Sequence, residues 1–464
     1  MAVSDLQAHG VFLIGLSDCG EKVTAAGGRI STQPGTALGI WEKSQDAQKN
    51  ANLIDKVTRS GHNSVVEHTY YNLAFQNVSA VVEQFVIEFR LASFTVKSRR
   101  YVDFSDAGFF VPEFSDKALT ERYRAHMSSF FELYAEFTEA GIPKEDARFL
   151  LPYCLYSNFF CSINGRELLN MLRAMLYGRG SKYPEIRALG EMLLRQVRER
   201  TPGILYEFEQ RNENAANDTP DLSFVRLSEA KKADAAVELL GYTPDAAKQV
   251  AISALIEYTG CSTAAAKTAA EDHETVERVL QRLVKTSRPR ALESVNFTLR
   301  YNGVSLSGLT HFTRHRMQSI EVPELTRTDR SRHILPPSIQ ANEALLQKYT
   351  AAFEKMRAEY EALRALGVPE TTLVYYQLSG NTVDIVSTMN ARELLLFLRL
   401  RTCTRAQWEI RAHAIEALRL LRTAAPEIFR YYGPSCFVEG RCPEGRFSCG
   451  RIDEMREYFT NLTK

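Results

Sequence analysis

One basic triplet stands out in the 464-residue chain, Arg314-His315-Arg316, which is followed by Ser319. Two guanidinium groups that flank an imidazole make a compact cationic group, suited to binding a phosphate or an electron-rich ring. For a short basic triplet considered alone, the alternative is a solvated turn that forms surface salt bridges. The surrounding sequence must therefore decide between the two.

A second group that could do chemistry lies near the C-terminus, where Cys436, Cys442 and Cys449 follow a C-x5-C-x6-C spacing. Clustered thiols can bind zinc, which takes four ligands in structural sites. The local sequence supplies three, so Cys154, Cys161 or a histidine would have to complete the set in the folded chain. Unconnected free thiols are the alternative, because eight cysteines in a chain of this length do not indicate a disulfide scaffold. We assign no metal and keep the three cysteines as candidate ligands.

An internal repeat with an offset of 226 residues organises the chain. A constant offset held over about 100 residues indicates a duplicated domain. We predict copy one at 1–217, copy two at 218–435 and a Cys-rich tail at 436–464, with the boundary in the polar segment 210–221. The equivalent residues are Glu67 and Glu293, Ser93 and Ser319, Asn164 and Asn390, Arg166 and Arg392, and the Glu-Leu-Leu triplets at 167–169 and 393–395.

The elements that must position these residues follow from hydrophobic periodicity. Partial alternation of aromatic and β-branched residues predicts strands at the equivalent stretches 69–78 and 296–304. Apolar residues at three- and four-residue spacing predict amphipathic helices, so each copy mixes α and β structure. These helices are at 118–140, 185–200, 342–366 and 408–424, and Phe130, Phe131 and Tyr134 are expected to be core residues.

Charge and hydropathy narrow the class of protein. With 57 Lys and Arg against 56 Asp and Glu, bulk electrostatics do not favour binding to nucleic acid. No apolar stretch reaches the roughly 18 residues of a membrane span, and the first 20 residues lack the basic flank of a signal peptide. The dinucleotide-binding G-x-G-x-x-G, a complete Walker A motif and the metalloprotease H-E-x-x-H do not occur. We expect a cytoplasmic protein without membrane or nucleic-acid partners.

Several motifs taken together give the chain a family resemblance. Copy one carries Gly61-His62-Asn63-Ser64 through Glu67-His68, then Arg90, Ser93, Ser98, Arg100, Tyr101, the segment 148–152, Asn164-Gly165-Arg166 and Asn170. Copy two carries Arg314-His315-Arg316, Ser319, Asn390-Ala391-Arg392, the segment 398–401 and the segment 406–410. In this set the sequence resembles the flavin-dependent thymidylate synthases over most of its length. The resemblance implies an α/β (α+β) protein with two copies of that family's fold, each a mostly antiparallel sheet packed with helices.

The two copies depart from the family pattern in opposite ways. Copy one has Glu88-Phe89-Arg90 where copy two keeps the basic triplet. Copy two instead loses the residues that copy one keeps, with Glu324, Thr326 and Val374 at the positions of Ser98, Arg100 and Arg148, and Ser287-Arg288 at the Gly61-His62 pair. Because family sites are built where several chains meet, the resemblance implies one composite site shared between the repeats. Decay of both copies, with surviving Arg and Asn residues in salt bridges and helix caps, is the alternative.

The resemblance also implies a reaction and its residues. FAD would be the cofactor, NADPH and methylenetetrahydrofolate the co-substrates, and dUMP or a related pyrimidine nucleotide the substrate, methylated to dTMP by a homodimer that imitates a tetramer. The expected catalytic residues are Arg148, Arg314 and His315. The expected cofactor residues are His62, Ser64, Asn164, Arg166, Asn170, Arg314, His315, Arg316, Asn390 and Arg392, and the expected substrate residues are Ser98, Arg100, Tyr101, Arg148 and Arg401.

Two other functions remain open at this point. Glu321, Val322 and Pro323, beside the basic triplet, differ from the usual family residues, so the chain could modify a different pyrimidine nucleotide. A non-catalytic protein that binds nucleotides or acts as a scaffold is the second alternative. Retained flavin would distinguish an enzyme of either kind from a scaffold.

Overall fold

A computed structural model describes residues 8–213, 219–222, 224–226 and 235–462. The chain divides into two compact units, unit 1 with Met1–Ser228 and Leu335–Ser379, and unit 2 with Glu229–Ile334 and Gly380–Lys464. The predicted repeat boundary near residue 217 lies outside the described residues. Among the helices of the described ranges, none has the length and apolarity to cross a membrane.

Unit 1 is built on a four-stranded sheet in the order β1-β2-β4-β3, with every neighbouring pair antiparallel. Its strands are β1 (Gly10–Leu16), β2 (Tyr70–Ser79), β3 (Ala92–Val96) and β4 (Tyr156–Asn164). Its α-helices are α1 (Glu21–Ile30), α2 (Ala37–Lys43), α3 (Ala47–Arg59), α4 (Ala80–Ile87), α5 (Lys117–Glu139), α6 (Lys144–Ala147), α7 (Gly165–Leu176), α8 (Pro184–Arg200), α9 (Phe208–Glu213), α14 (Pro337–Gln340), α15 (Glu343–Ala365) and α16 (Glu370–Leu373). Short 3-10 helices are at Asn63–His68, Arg148–Leu150 and Pro202–Leu205.

Unit 2 repeats the arrangement, with an antiparallel sheet in the order β5-β6-β8-β7. Its strands are β5 (Val237–Tyr242), β6 (Asn296–Ser305), β7 (Gln318–Glu321) and β8 (Thr382–Asn390). Its α-helices are α10 (Ala246–Thr259), α11 (Thr263–Ala269), α12 (His273–Leu283), α13 (Leu306–Thr313), α17 (Ala391–Arg401), α18 (Trp408–Ala424), α19 (Pro426–Phe429), α20 (Ser435–Val438) and α21 (Ile452–Thr460). Short 3-10 helices are at Arg290–Ser294, Leu325–Arg327 and Gly445–Phe447.

The two sheets share their strand register at the offset seen in the sequence. Tyr70 pairs with Asn164 in unit 1, and the equivalent Asn296 pairs with Asn390 in unit 2. Each central strand is interrupted by a bulge, where Asn77 has φ of 49° and Gly303 has φ of 71°. Asn and Gly are the residues that adopt this left-handed conformation at least cost. The predicted duplication of a mixed, antiparallel fold is confirmed.

Two long helices of equal length pack against each other inside unit 1, although they come from different repeats. Helices α5 and α15 run antiparallel: the Arg122 guanidinium donates to the Glu359 carboxylate at 2.6 Å, and the Lys355 ammonium donates to the Ser129 hydroxyl at 2.8 Å. Their inner faces contribute to the core, because the predicted core residues Phe130, Phe131 and Tyr134 are all buried. The segment 335–379 of the second repeat therefore belongs to the compact unit of the first.

One serine in each repeat fixes the turn between the central strand and the next helix. Ser79 donates through its backbone N–H and its hydroxyl to the two oxygens of Glu185, at 2.8 and 2.6 Å. Ser305 makes the same pair of bonds to Glu409, at 2.6 and 2.7 Å. Each serine also caps the helix that follows, α4 or α13. Because α13 leads directly to the basic triplet, this anchor sets the position of that triplet.

Candidate functional site

The basic triplet forms the turn at the end of α13. The helix ends at Thr313, and Arg314 is its C-cap residue. Arg314 and Arg316 are exposed, whereas the His315 side chain turns inward and is 4% exposed. The triplet thus presents two guanidinium groups to solvent and one imidazole to the interior of unit 2.

A buried hydrogen-bond network fixes the protonation of His315. Arg401 Nε lies 3.1 Å from His315 Nε2, and because a guanidinium only donates, Nε2 must accept. The ring proton is therefore on Nδ1, which lies 3.1 Å from Glu393 Oε1 and donates to it. Burial lowers the pKa of His315 below 6.5, while the bond to Glu393 opposes that shift. The imidazole is neutral and locked in one tautomer.

The network joins two predicted residues to one that the sequence argument missed. His315 and Arg401 were expected at the site, while Glu393 was noted only as part of the repeated Glu-Leu-Leu triplet. The sequence did contain a signal for this residue. A Glu three residues after an Asn helix cap lies in the first turn of the helix, so its carboxylate is close to the cap. In unit 1 the equivalent Glu167 accepts instead from the Asn170 side-chain amide at 3.0 Å.

The predicted Asn and Arg cofactor residues have structural partners in both units. The Asn164 side chain caps α7 and accepts from the Glu167 N–H at 2.9 Å, and Asn390 caps α17 in the same way at 2.8 Å. Arg166 pairs with Glu67 at 2.8 Å. The equivalent pair in unit 2 is Arg392 and Glu293. That these four residues bind a cofactor remains a prediction.

A large cavity of unit 2 opens beside the His315 network. Its volume is about 1350 Å³. Asn390, Arg392 and Glu393 line it, as does Met317, which directly follows the basic triplet. Cationic, acidic and apolar side chains all line the wall, and the acidic ones are Glu293, Glu393 and Glu439. The other lining cations are Lys285, Arg399, Arg430 and Arg441, and the apolar residues include Leu395, Leu396 and Phe437.

In unit 1 the predicted phosphate residues gather around a carboxylate that the sequence argument did not include. The Arg100 guanidinium pairs with the Glu145 carboxylate, and Arg148 Nε donates to the Glu145 backbone oxygen at 3.0 Å. Ser98 Oγ accepts from the Arg100 N–H at 3.3 Å. Tyr101, on the same loop, is 67% exposed. The structure therefore brings Ser98, Arg100 and Arg148 together.

His62 and Ser64 lie on a separate feature of unit 1. His62 is the N-cap residue of the 3-10 helix Asn63–His68, and both side chains are exposed. The same short helix contributes Glu67 to the ion pair with Arg166. The loop between α3 and β2 is thereby tied to the start of α7.

All eight cysteines are free thiols. Cys154 and Cys161, considered above as further metal ligands, belong to unit 1 and are buried. Burial raises the pKa of each of these thiols to about 12. They are inert core residues. The three tail cysteines belong to unit 2.

Comparisons with known proteins identify each repeat separately. Residues 13–203 match the family described as thymidylate synthase complementing protein, and residues 238–427 match it again. The chain is 35% identical over 233 residues to the flavin-dependent thymidylate synthase of Geobacter sulfurreducens, an alignment that covers 49% of this chain and 99% of that protein. The protein of the same name from Clostridium tetani is 34% identical over 246 residues, covering 48% of this chain and 96% of that protein.

A more distant relative gives the same result. The flavin-dependent thymidylate synthase of Sulfurisphaera tokodaii is 33% identical over 208 residues, which cover 44% of this chain and 79% of that protein. These relatives align over most or nearly all of their own length with about half of this chain, as a duplication requires. Together with the double family match, this shows that the chain belongs to the flavin-dependent thymidylate synthase family, in a tandem form with two copies of the family's fold.

Proposed function

We propose that the chain catalyses the FAD-dependent methylation of dUMP to dTMP, with methylenetetrahydrofolate as carbon donor and NADPH as reductant, in the cytoplasm. The relatives' name supports a flavin-dependent reaction on the way to thymidylate. The observation that carries the proposal is the unit 2 cavity, because it gathers Asn390, Arg392 and the carboxylate partner of His315 at one large concave surface.

The cavity fits a dinucleotide in size and in lining. Ligand pockets usually measure about 300–1,000 Å³, so a volume of about 1350 Å³ suits a large ligand. Arg392, Arg399 and Arg430 pair with carboxylates in the structure and would exchange them for the oxygens of a pyrophosphate. Leu395 and Leu396 provide apolar surface for a ring system. Bound there, FAD would supply the hydride that completes the methyl group.

The neutral His315 and the exposed arginines beside it would orient the flavin. Since Glu393 and Arg401 hold the imidazole from both sides, His315 offers fixed polarity without a positive charge. Arg314 and Arg316 carry the charge at the rim of the same turn. This division lets one triplet bind an anionic ligand and leave the buried ring uncharged.

The unit 1 group would hold the nucleotide. Arg100 with Ser98 would bind the 5′-phosphate, for which Arg100 must exchange the Glu145 carboxylate for phosphate oxygens. Arg148 would polarise the pyrimidine so that C5 becomes a better nucleophile. We further propose that both groups serve one activity, because each repeat lacks what the other retains.

Flavin binding and nucleotide response test the proposal directly. We expect the purified chain to retain a visible flavin band after added FAD is washed away, and dUMP to perturb that band. Arg314→Ala should lose retained flavin, whereas Glu88→Ala, at the equivalent position of the other repeat, should keep it. NADPH-dependent formation of dTMP should follow the same order. A chain that retains no flavin and does not respond to dUMP would refute the proposal.

A non-catalytic nucleotide-binding role is the second candidate, and one set of contacts favours it. Asn164, Asn390, Arg166 and Arg392 all have structural partners, as expected if only the fold had been retained. Binding of dUMP without retained flavin and without turnover would select this candidate. Flavin reduction by NADPH without dTMP formation would instead indicate a different pyrimidine substrate.

We also propose that the chain forms a homodimer that places four copies of the fold in one assembly. The family resemblance supports this, because its sites are built where several chains meet. The molar mass in solution, measured by light scattering with and without FAD, tests the proposal. A mass equal to one chain of 52.5 kDa in both conditions would contradict it.

A further inference from the structure

Part of the unit 2 cavity is formed by residues outside both family matches. The second match ends at residue 427, and the cavity is also lined by Arg430, Tyr431 and the run 437–441. We call residues 430–441 the C-terminal wall. The part of the repeat that matches the family therefore does not supply this wall.

A buried arginine of α18 fixes the base of the C-terminal wall. The Arg422 guanidinium donates to the backbone oxygens of Phe429 at 3.1 Å and Tyr432 at 2.9 Å. It also donates to the backbone oxygen of Phe459 in α21, whose ring is fully buried. At the equivalent position of α8 in unit 1, Arg198 is exposed. One of the two equivalent arginines thus holds the wall against the body of its unit.

An ion pair joins the outer end of the wall to the last turn of α17. Glu439, which follows α20, pairs with Arg399, and the two side chains are 30% and 31% exposed. Both residues line the cavity. Another pair in the cavity, Arg392 with Glu293, joins two elements of the matched repeat. The Arg399 pair differs because its carboxylate belongs to the C-terminal wall.

The Arg399 pair can open without disturbing the anchor at Arg422. Glu439 lies at the exposed end of the wall, beside Gly440, which has φ of 74°. A partly exposed ion pair contributes little to stability, because solvent screens it. A phosphate group offers the same guanidinium several charged acceptor oxygens and can pair with it through two bonds. Within the cavity, such an anion would compete effectively with one carboxylate.

We propose that Glu439 competes with the ligand of the unit 2 cavity for Arg399, and that the C-terminal wall thereby selects a ligand that carries a phosphate group. On binding, Arg399 exchanges the Glu439 carboxylate for phosphate oxygens, and Glu439 moves into solvent. A ring system without phosphate has no group to exchange and leaves the ion pair closed. That the selected ligand is FAD rests on the proposed function, whereas the competition applies to any phosphate or pyrophosphate group in the cavity.

Flavin titrations of the full-length chain, followed by fluorescence, measure the competition. Glu439→Gln removes the competing charge and should tighten FAD binding about 2- to 5-fold, the range for a partly exposed ion pair. Riboflavin, which has the same ring without phosphate, should gain nothing from this change. Glu454→Gln removes an exposed carboxylate of α21 that pairs with Arg451, and FAD affinity should stay the same. Unchanged FAD affinity in Glu439→Gln would overturn the proposal.

A double variant tests whether the effect depends on Arg399. Arg399→Ala should weaken FAD binding about tenfold, as expected for the loss of hydrogen bonds to a charged group. Adding Glu439→Gln to Arg399→Ala should then bring no further gain, because the two residues act as one pair. An equal gain in both backgrounds would show that Glu439 only repels the ligand, and would contradict the competition.

Inorganic pyrophosphate separates this inference from the proposed function. If no variant binds flavin, the proposed function fails, and titration calorimetry with pyrophosphate then tests the competition by itself. Glu439→Gln should tighten pyrophosphate binding by the same factor, and Glu454→Gln should not. Pyrophosphate that binds both variants alike, or binds neither, would refute the inference. Flavin binding that Glu439→Gln does not change would refute the inference and leave the proposed function intact.

Discussion

Equivalent interior positions of the two units are filled in opposite ways. Beneath the loop after β3, unit 1 buries an ion pair between Arg99 and Glu83, and the Ser157 hydroxyl donates to the same carboxylate. At the three equivalent positions unit 2 has buried apolar residues, Leu325, Leu309 and Val383. One backbone therefore accommodates either a polar or an apolar cluster.

The difference shows what each cluster supports. Arg99 lies between Ser98 and Arg100, the residues proposed to hold a phosphate, whereas Leu325 lies between Glu324 and Thr326. A buried ion pair seldom stabilises a fold more than apolar residues of similar volume. We infer that the polar cluster of unit 1 positions the loop, and that unit 2 lost it together with the phosphate residues.

The features that do not differ are those that hold the fold. Both units keep the serine that binds a glutamate with two donors, and both keep the Asn cap and the Arg–Glu pair. The serine bonds join the end of the central strand to α8 or α18, and the cap and the ion pair fix the start of α7 or α17. Residues that hold the fold were thus retained twice, whereas the basic triplet and the phosphate residues were each retained once.

The largest expected effect is on stability, from removing one member of the buried ion pair and leaving the other. Glu83→Leu leaves Arg99 buried without its carboxylate and should lower the free energy of unfolding by about 3–5 kcal/mol. The triple variant Glu83→Leu, Arg99→Leu, Ser157→Val copies unit 2 and should recover most of that loss. Denaturant unfolding measures both. A triple variant no more stable than Glu83→Leu would show that the two interiors are not interchangeable.

The next largest effect is expected on nucleotide binding at the loop after β3. Arg100→Ala removes a guanidinium from the proposed phosphate site and should weaken dUMP binding about 10- to 100-fold, as expected for a hydrogen bond to a charged group. Thr326→Ala, at the equivalent position of unit 2, should leave dUMP affinity unchanged. Titration calorimetry compares the two variants. Equal losses would mean that the loops of the two repeats are not functionally distinct.

Sequence patterns anticipated the fold better than the site, for physical reasons. Periodicity depends on local burial, so the stretches at 69–78 and 408–424 appear as β2 and α18 close to their predicted bounds. Glu145 was missed because its partner, Arg100, approaches it only in the folded chain. The packing of α15 inside unit 1 was equally hidden, since its amphipathic pattern does not name the helix that it meets.

A smaller effect is expected on the pH dependence of stability, and it comes from His126 in α5. Burial lowers the pKa of His126 to about 4, with Glu359 opposing the shift and Lys355 and Arg122 reinforcing it. The unfolded chain therefore takes up a proton first as pH falls from 6.5 towards 4, and the folded state loses stability across that window. The loss should be about 1–2 kcal/mol, because the ring is partly exposed and solvent screens it.

The residue of α15 equivalent to His126 is Ala352, which cannot titrate. His126→Gln should therefore flatten the stability profile between pH 6.5 and 4 and leave stability at pH 8 nearly unchanged. Thermal unfolding at a series of pH values measures this. An unaltered profile would assign the pH dependence to another group.

The smallest expected effect separates the structural role of the two capping residues from any role in ligand binding. Asn164→Ala and Asn390→Ala should each cost about 1 kcal/mol of stability, and the corresponding Asp variants only a few tenths, because Asp caps a helix as well as Asn does. Asn390 lines the unit 2 cavity, so a negative charge there should repel an anionic cofactor. Retained flavin should then fall in Asn390→Asp and not in Asn164→Asp, at nearly equal melting temperatures. If flavin fell in both variants, the cofactor would contact both repeats, and the division of roles between them would have to be redrawn.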